Sequence, residues 1–181
     1  MVRYAVMLRG INLGSNRRVT MQDLRALLSG LGYQDVRTLL QSGNAVFGAA
    51  SRKPDKLSAE ITDRLAAELG MDIGCVIRTA DELAAVVAAN PFPDKATEGA
   101  KLAVTFLDGP VDPARFADTD PADFAPDEFR LAGREVYVWL PNGFSNSRIP
   151  VNFWDKRIDR VSTTRNWNTV TKLLAMVSGA A

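Results

Sequence analysis

The segment from Arg9 to Arg18 has the clearest chemical character in the sequence. It follows an apolar run and combines two glycines and three arginines with polar side chains, in the order Arg-Gly-Ile-Asn-Leu-Gly-Ser-Asn-Arg-Arg. Glycines let backbone N–H groups approach an oxyanion, and arginines supply charge and bidentate donors. This chemistry favours a phosphorylated or carboxylated small molecule as the ligand. The candidate ligand-binding residues of the segment are Arg9, Gly10, Asn12, Gly14 and Arg17.

This segment differs from the established phosphate-binding motifs. The P-loop requires Gly-Lys-Ser/Thr, and the dinucleotide fingerprint is Gly-x-Gly-x-x-Gly. A purely structural interpretation therefore stands beside the functional one. In that interpretation, Gly10, Asn12 and Gly14 satisfy a tight connection with left-handed backbone, and the arginines are solvated.

The absence of histidine and the presence of a single cysteine, Cys75, limit the available chemistry. Ser-His-Asp catalysis, Cys-His catalysis and zinc sites that need imidazole are excluded, and one thiol cannot form an all-cysteine zinc site or an internal disulfide. We expect no zinc, haem or disulfide chemistry and a buried thiol at Cys75. No paired carboxylates stand out, so the sequence leaves open whether the protein is an enzyme and which cofactor, if any, it uses.

The overall composition is that of a globular protein without a strong electrostatic preference. The 181 residues are 46% hydrophobic and 24% charged, with a formal net charge of +1. No apolar run approaches the roughly 18 residues needed to cross a bilayer. The N-terminus shows no signal-peptide pattern, so the sequence predicts a cytoplasmic protein without a membrane partner. The oligomeric state cannot be read from the sequence.

Hydrophobic periodicity predicts the order β-α-β-β-α-β over residues 1–78, which is the ferredoxin-like split βαβ arrangement. Thr20 is expected to cap the first helix, and Pro54 and Gly70 to begin and end the second. The predicted strands are residues 2–8, 35–40, 45–48 and 71–78.

The pattern in the remainder of the chain predicts a second, partial unit, so that the whole protein has an α+β fold. Residues 79–100 are interpreted as a helix and linker, and residues 101–181 as a second α/β subdomain with a C-terminal helix. The expected order is βαββα, which suggests a structural duplication, although no repeat is visible in the sequence. Its last helix is predicted from about residue 164, capped by Thr163 or Thr164. Residues 119–127 are interpreted as a solvated loop.

The predicted topology brings two polar segments together. In a ferredoxin-like sheet of strand order 4-1-3-2, the end of strand one lies beside the beginning of strand three. The Arg9 to Arg18 segment is therefore expected next to Ser42, Gly43 and Asn44, a Gly-Asn hairpin connection. Ser42, Gly43 and Asn44 are therefore added to the candidate ligand-binding residues.

The C-terminal region supports an alternative, a nucleic-acid-binding module. Arginines and lysines there alternate with Phe144, Phe153, Trp154 and Trp167. Such interleaving suits nucleic-acid surfaces, but aromatic side chains of this kind more often belong to a core. We therefore prefer a small anionic ligand to nucleic acid. A protein-interaction domain without catalysis is the third alternative.

Several motifs together resemble those of the bacterial family grouped as domain of unknown function 1697, over the full length of the chain. The motifs are Leu8–Gly14, Val36–Thr38, Gln41–Asn44, Asn90–Pro93 and Thr163–Thr169. Ser15 stands where the family usually has a second glycine. The resemblance implies an α+β fold with ferredoxin-like character and brings no reaction or catalytic residues. Because the last motif contains Arg165 and Asn166, we add these residues to the hypothetical composite site.

Overall fold

The computed structural model describes residues 1–12, 18–150 and 153–180. Candidate residues Gly14 and Arg17 lie outside this part of the chain. The chain divides into two compact units, Met1–Ala85 with Lys172–Ala181 and Val86–Thr171. Each unit contains a four-stranded antiparallel sheet, so the fold class is α+β as expected.

The first unit has the predicted β-α-β-β-α-β order. Its sheet has the strand order β2-β3-β1-β4, with β1 antiparallel to both of its neighbours. The fourth strand is shorter than expected, because it begins at Cys75 rather than at residue 71. The elements are β1 (Val2–Leu8), α1 (Met21–Gly30), β2 (Gln34–Leu39), β3 (Asn44–Ala49), α2 (Pro54–Leu69) and β4 (Cys75–Thr79).

Local signals in the sequence explain where these helices begin and end. The Thr20 hydroxyl accepts a hydrogen bond from the backbone N–H of Asp23 at 3.0 Å, as expected of a helix cap. Gly70 ends α2 with a left-handed φ of 63°, a conformation that favours glycine. Cys75 is buried on the helix side of the sheet, and burial raises the pKa of its thiol to about 11. The expectation of a buried thiol is therefore confirmed.

The core of the first unit lies between the sheet and its two helices. Each fully buried aliphatic side chain contributes about 1.5–3 kcal/mol relative to an exposed one, so this layer dominates the stability of the unit. Stacking of Tyr33 on Phe47, with ring centroids 4.4 Å apart, closes one side of the core. The fully buried members include Val6, Leu24, Leu28, Phe47, Leu57, Ile61 and Leu65.

The second unit repeats the strand connectivity of the first. In each sheet the first strand pairs with the third and the fourth, and the second pairs with the third. The strands are β5 (Leu102–Leu107), β6 (Glu128–Ala132), β7 (Glu135–Trp139) and β8 (Ser162–Asn166). The α-helices after β4 are α3 (Ala80–Ala88), α4 (Phe153–Arg157) and α5 (Trp167–Val177), with 3-10 turns at Pro93–Glu98, Pro113–Phe116, Pro121–Phe124 and Phe144–Asn146.

The last strand corrects the sequence prediction of a helix from residue 164. Residues Ser162–Asn166 form β8, and Thr163 and Thr164 therefore cannot cap the helix. Their β-branched side chains suit a strand, and pairing with β5 provides the backbone partners. The cap is Asn166, whose Oδ1 accepts from the backbone N–H of Thr169 at 2.9 Å. The second unit thus has all four strands.

The acidic segment 119–127 is also more ordered than the sequence suggested. Phe124 packs edge-on against Phe153 with ring centroids 5.0 Å apart, and Asp127 is only 2% exposed. The expectation of a solvated loop is therefore wrong at these two residues. Sequence composition missed them because the surrounding aspartates and prolines are typical of surface loops.

None of the helices in the described ranges is long and apolar enough to cross a membrane. The cytoplasmic location stays a prediction.

We expect Gly43→Ala to destabilise the first unit by about 2–4 kcal/mol, combining left-handed strain with overpacking. Gly43 has a φ of 74°, and a Cβ there would lie 2.6 Å from Cδ1 of Ile11 and 2.8 Å from Cβ of Leu8. Gly70→Ala is the matched control, because Gly70 is also left-handed but a Cβ would meet no atom within 4 Å. Urea unfolding measures both variants, and equal losses would contradict the close-packing argument.

Candidate functional site

The end of β1 lies beside the beginning of β3, as the topology predicted. The backbone N–H of Leu8 donates to the carbonyl oxygen of Gly43 at 2.8 Å, and Met7 pairs with Asn44 in the sheet register. We call the two neighbouring segments, residues 9–12 and 41–44, the N-terminal rim. The polar segments chosen from the sequence therefore meet at one edge of the first sheet.

Asn12 joins the two segments of the N-terminal rim. Its Nδ2 donates to the carbonyl oxygens of Gln41 at 2.6 Å and Val19 at 3.0 Å. Its Oδ1 accepts from the backbone N–H of Val19 at 3.2 Å. These bonds hold residue 12 against residue 19 and both against the hairpin turn. Asn12 has a φ of 57°, a left-handed conformation that asparagine tolerates better than most residues.

Asn44 and Gly43 shape the hairpin turn from inside. Asn44 is fully buried, and its Nδ2 donates to the carbonyl oxygen of Leu39 at 3.1 Å and to Oγ of Ser42 at 2.9 Å. Gly43 is buried against Leu8 and Ile11. These contacts give both residues a structural role in the turn.

The accessible groups of the N-terminal rim are fewer than the sequence suggested. Arg9 is half-buried, while Gly10 and Ser42 are exposed. The backbone N–H of Arg9 donates to the carbonyl oxygen of Gly74 at 2.8 Å, which fixes the backbone of Arg9 at the end of β1. Arg18, just before the cap of α1, is exposed. A ligand at this rim would therefore meet side chains from Arg9, Ser42 and Arg18.

Arg165 and Asn166 belong to the second unit, and each has a local role there. Arg165 is 8% exposed, and its Nη1 donates to Oγ1 of Thr163 and to the carbonyl oxygen of Thr164, both at 2.7 Å. Burial lowers the pKa of its guanidinium to about 10, which leaves it charged at neutral pH. Arg165 lies on β8, not on a helix face, and Asn166 caps α5. Their participation in a composite site stays a prediction.

A buried arginine at the corresponding place in the first unit escaped sequence analysis. Arg78 is 1% exposed, and its Nη1 donates to the carbonyl oxygen of Ile77 at 2.9 Å. Arg78 pairs with Ala5 on the central strand, as Arg165 pairs with Val104. The sequence does contain a signal for these two buried arginines. Each directly precedes the residue that caps the next helix, Thr79 after Arg78 and Asn166 after Arg165.

The cap at Thr79 is a capping box with Glu82. Its backbone N–H donates to Oε2 of Glu82 at 2.8 Å, and its hydroxyl accepts from the backbone N–H of Glu82 at 3.2 Å. Both units therefore end their sheet with the same sequence of features, a buried arginine, a polar cap and a helix.

Two basic residues of the C-terminal region, Arg157 and Arg160, line a polar cavity of about 210 Å³ in the second unit, together with Arg115. Two of its three arginines have acidic partners: Nη1 of Arg157 lies 2.7 Å from Oδ1 of Asp118, and Nη2 of Arg115 lies 3.5 Å from Oδ2 of Asp159. The guanidinium of Arg157 lowers the pKa of the exposed Asp118 carboxyl. The pair of Arg157 and Asp118 offsets one of the positive charges that suggested a nucleic-acid surface.

The aromatic residues of this region divide between core and surface. Phe153 and Trp167 are buried at 7% and 6% exposure, whereas Trp154 is half-buried and Phe144 is 50% exposed.

Over residues 1–12, 18–150 and 153–180, no group of three or more acidic, cysteine or histidine side chains is arranged to hold a metal ion.

Comparison with known proteins identifies the family. The family described as "Protein of unknown function (DUF1697)" matches residues 1–137, which is most of the 181-residue chain. The chain belongs to this family. No curated protein matches it.

A solved structure supports the fold over nearly the whole chain. It is that of the conserved bacterial protein SP0830 from Streptococcus pneumoniae, which is 19% identical in sequence with a TM-score of 0.74. The similarity covers 97% of this chain and 98% of that one. At this level of identity it shows the fold alone.

We expect Asn12→Asp to destabilise the first unit by about 1–3 kcal/mol, because it replaces the amide donor of a half-buried side chain by an oxygen that faces two carbonyl oxygens. Aspartate keeps the size of the side chain and tolerates the left-handed backbone. The control is Asp35→Asn, the reverse exchange at an exposed residue with a φ of 52°, which should change the free energy of unfolding by less than about 0.5 kcal/mol. Similar values for the two variants would contradict the joining role of Asn12.

Proposed function

We propose that this member of the family binds a small phosphorylated or carboxylated molecule at the N-terminal rim. The observation that carries the proposal is the hydrogen bonding of Asn12 to Val19 and Gln41. Because these bonds connect the two segments of the rim, Arg9 and Ser42 belong to one ordered edge of the sheet. Whether the bound molecule then reacts is a separate question, which binding alone does not decide.

The chemistry of the rim suits an anion. Arginine binds carboxylate and phosphate groups through parallel N–H donors, and the exposed Ser42 adds a polar side chain to the rim. Gly10 has a left-handed φ of 56°, and a Cβ there would meet no atom of the described residues within 4 Å. The start of α1 follows Arg18 closely, and helix N-termini favour negative charge.

The alternative of nucleic-acid binding has less support. Ferredoxin-like domains that bind single strands stack bases on aromatic side chains of their central strands. In the first sheet the aromatic residues of the central strands are Tyr4 and Phe47, which are 1% and 0% exposed. Bases cannot reach these rings in the folded unit, so the small anion is preferred.

A thermal-shift experiment with inorganic phosphate, pyrophosphate, adenosine monophosphate and malonate tests the proposal. We expect at least one anion to raise the melting temperature, since a ligand at 100 times its Kd stabilises the native state by about 2.7 kcal/mol. Arg9→Gln should abolish this shift. Arg64→Gln is the matched control, because Arg64 lies on α2 in an exposed ion pair with Glu68 and should retain the full shift.

Two outcomes would contradict the proposal. An equal shift in the wild-type protein and in Arg9→Gln would show that the anion binds elsewhere. Stabilisation only by short oligonucleotides, weakening steeply with salt, would support the nucleic-acid alternative instead.

A further inference from the structure

The helix side of the second sheet is covered less completely than that of the first. In the first unit α2, which follows the third strand, has 16 residues. In the second unit the helix at the same place in the order, α4, has five residues. A cavity of about 210 Å³ lies on this side of the second sheet, among residues of β5, β7, β8 and the segment after β7.

The floor of the cavity is a pair of threonine hydroxyls. Thr105 on β5 and Thr164 on β8 are direct partners in the sheet, and their Oγ1 atoms are 2.8 Å apart in a hydrogen bond. Thr105 is 1% exposed, whereas Thr164 is exposed. One hydroxyl proton serves the mutual bond, so the pair retains one proton to donate and oxygen lone pairs that can accept.

The first unit shows what occupies this position when a long helix covers the sheet. The cross-strand pair of Ala5 and Arg78 in the first sheet corresponds to the pair of Val104 and Arg165 in the second. The next pair along the strands is Val6 with Ile77 in the first sheet and Thr105 with Thr164 in the second. Those two side chains are 0% and 2% exposed. In the first unit, where α2 covers the sheet, this pair is apolar. In the second unit, where the cavity remains, the pair at the same position carries two hydroxyls.

The walls of the cavity are aromatic and aliphatic. Trp154 and Phe144 contribute rings, and Leu140 and Ile149 contribute aliphatic surface. Among its described lining residues none is charged. Burying an ionised group without a charged partner is costly, so the lining favours a neutral ligand.

The segment Ser147–Ile149, which forms one wall of the cavity, is held in place by hydrogen bonds to Asp127. Asp127 is 2% exposed, and its Oδ2 accepts hydrogen bonds from Oγ of Ser147 at 2.8 Å and from the backbone N–H of Arg148 at 2.6 Å. The backbone N–H of Ile149 donates to the same oxygen at 3.4 Å. This wall is therefore formed before any ligand enters, which reduces the entropy cost of binding.

We propose that this cavity binds a neutral aromatic or heteroaromatic ring that carries an amide-like edge with one donor and one acceptor. The ring packs between Trp154 and the aliphatic wall, and its polar edge meets the exposed Thr164 hydroxyl, which the hydrogen bond with Thr105 orients. The volume equals roughly seven water molecules at about 30 Å³ each, which is enough for one ring or two fused rings. This second site is independent of the anion proposed at the N-terminal rim.

Titration of the full-length protein with benzamide, followed by NMR, tests the proposal. We expect shifts of the Trp154 indole N–H and of the Thr105 and Thr164 methyl groups. The double variant Thr105→Val with Thr164→Val should bind benzamide at least 10-fold more weakly and should bind toluene as the wild-type protein does, because only the hydroxyls are lost. Thr119→Val, a half-buried threonine in the same unit, is the control and should bind benzamide normally.

The variants keep the test decisive. Valine and isoleucine occupy the corresponding pair in the first unit, so the double variant is expected to fold. If the double variant does not fold, the single variant Thr164→Val replaces it in the test, because Thr164 is exposed. Absence of benzamide shifts at Trp154 up to the solubility limit would overturn the proposal. Equal benzamide affinity in the wild-type protein and the valine variants would overturn it as well. Arg9→Gln should leave benzamide binding unchanged, which separates this site from the proposed function.

Discussion

Burial of the central strands on both faces is the constraint on which the rest of the structure depends. In β1 the residues from Tyr4 to Leu8 are buried, and in β3 and β5 every residue is buried. A polar group on such a strand must find a partner within the protein, because unsatisfied buried polar groups are costly. We therefore expect any ligand-binding site at the ends of the strands or at places where the helical cover is short.

The buried arginines follow from the same constraint. Arg78 and Arg165 each lie opposite a small or aliphatic residue of the central strand and donate to nearby backbone carbonyl oxygens. For Arg165 the loss of solvent lowers the pKa to about 10, and the guanidinium remains charged at neutral pH. Their recurrence at equivalent register positions supports the description of the two units as a structural duplication.

Much of the first unit could be predicted from the sequence, because its signals are local. The apolar run before Arg9, the cap at Thr20 and the glycine after α2 each determine a feature through their own chemistry. The strand β8 could not be found in this way, since Ser-Thr-Thr-Arg-Asn lacks apolar alternation and becomes a strand only by pairing with β5. The sequence places Asn12 and Asn44 in the two neighbouring segments of the rim, but only the structure shows that both side chains form hydrogen bonds that hold these segments.

Mapping amide chemical shifts during titration with pyrophosphate tests the central proposal, that an anion binds at the strand ends of the first unit. We expect perturbations concentrated at Arg9, Gly10, Arg18 and the Gln41–Gly43 turn, with the interior residues of β1 and β3 unaffected. Perturbations spread along the faces of the central strands, or confined to the second unit, would contradict it.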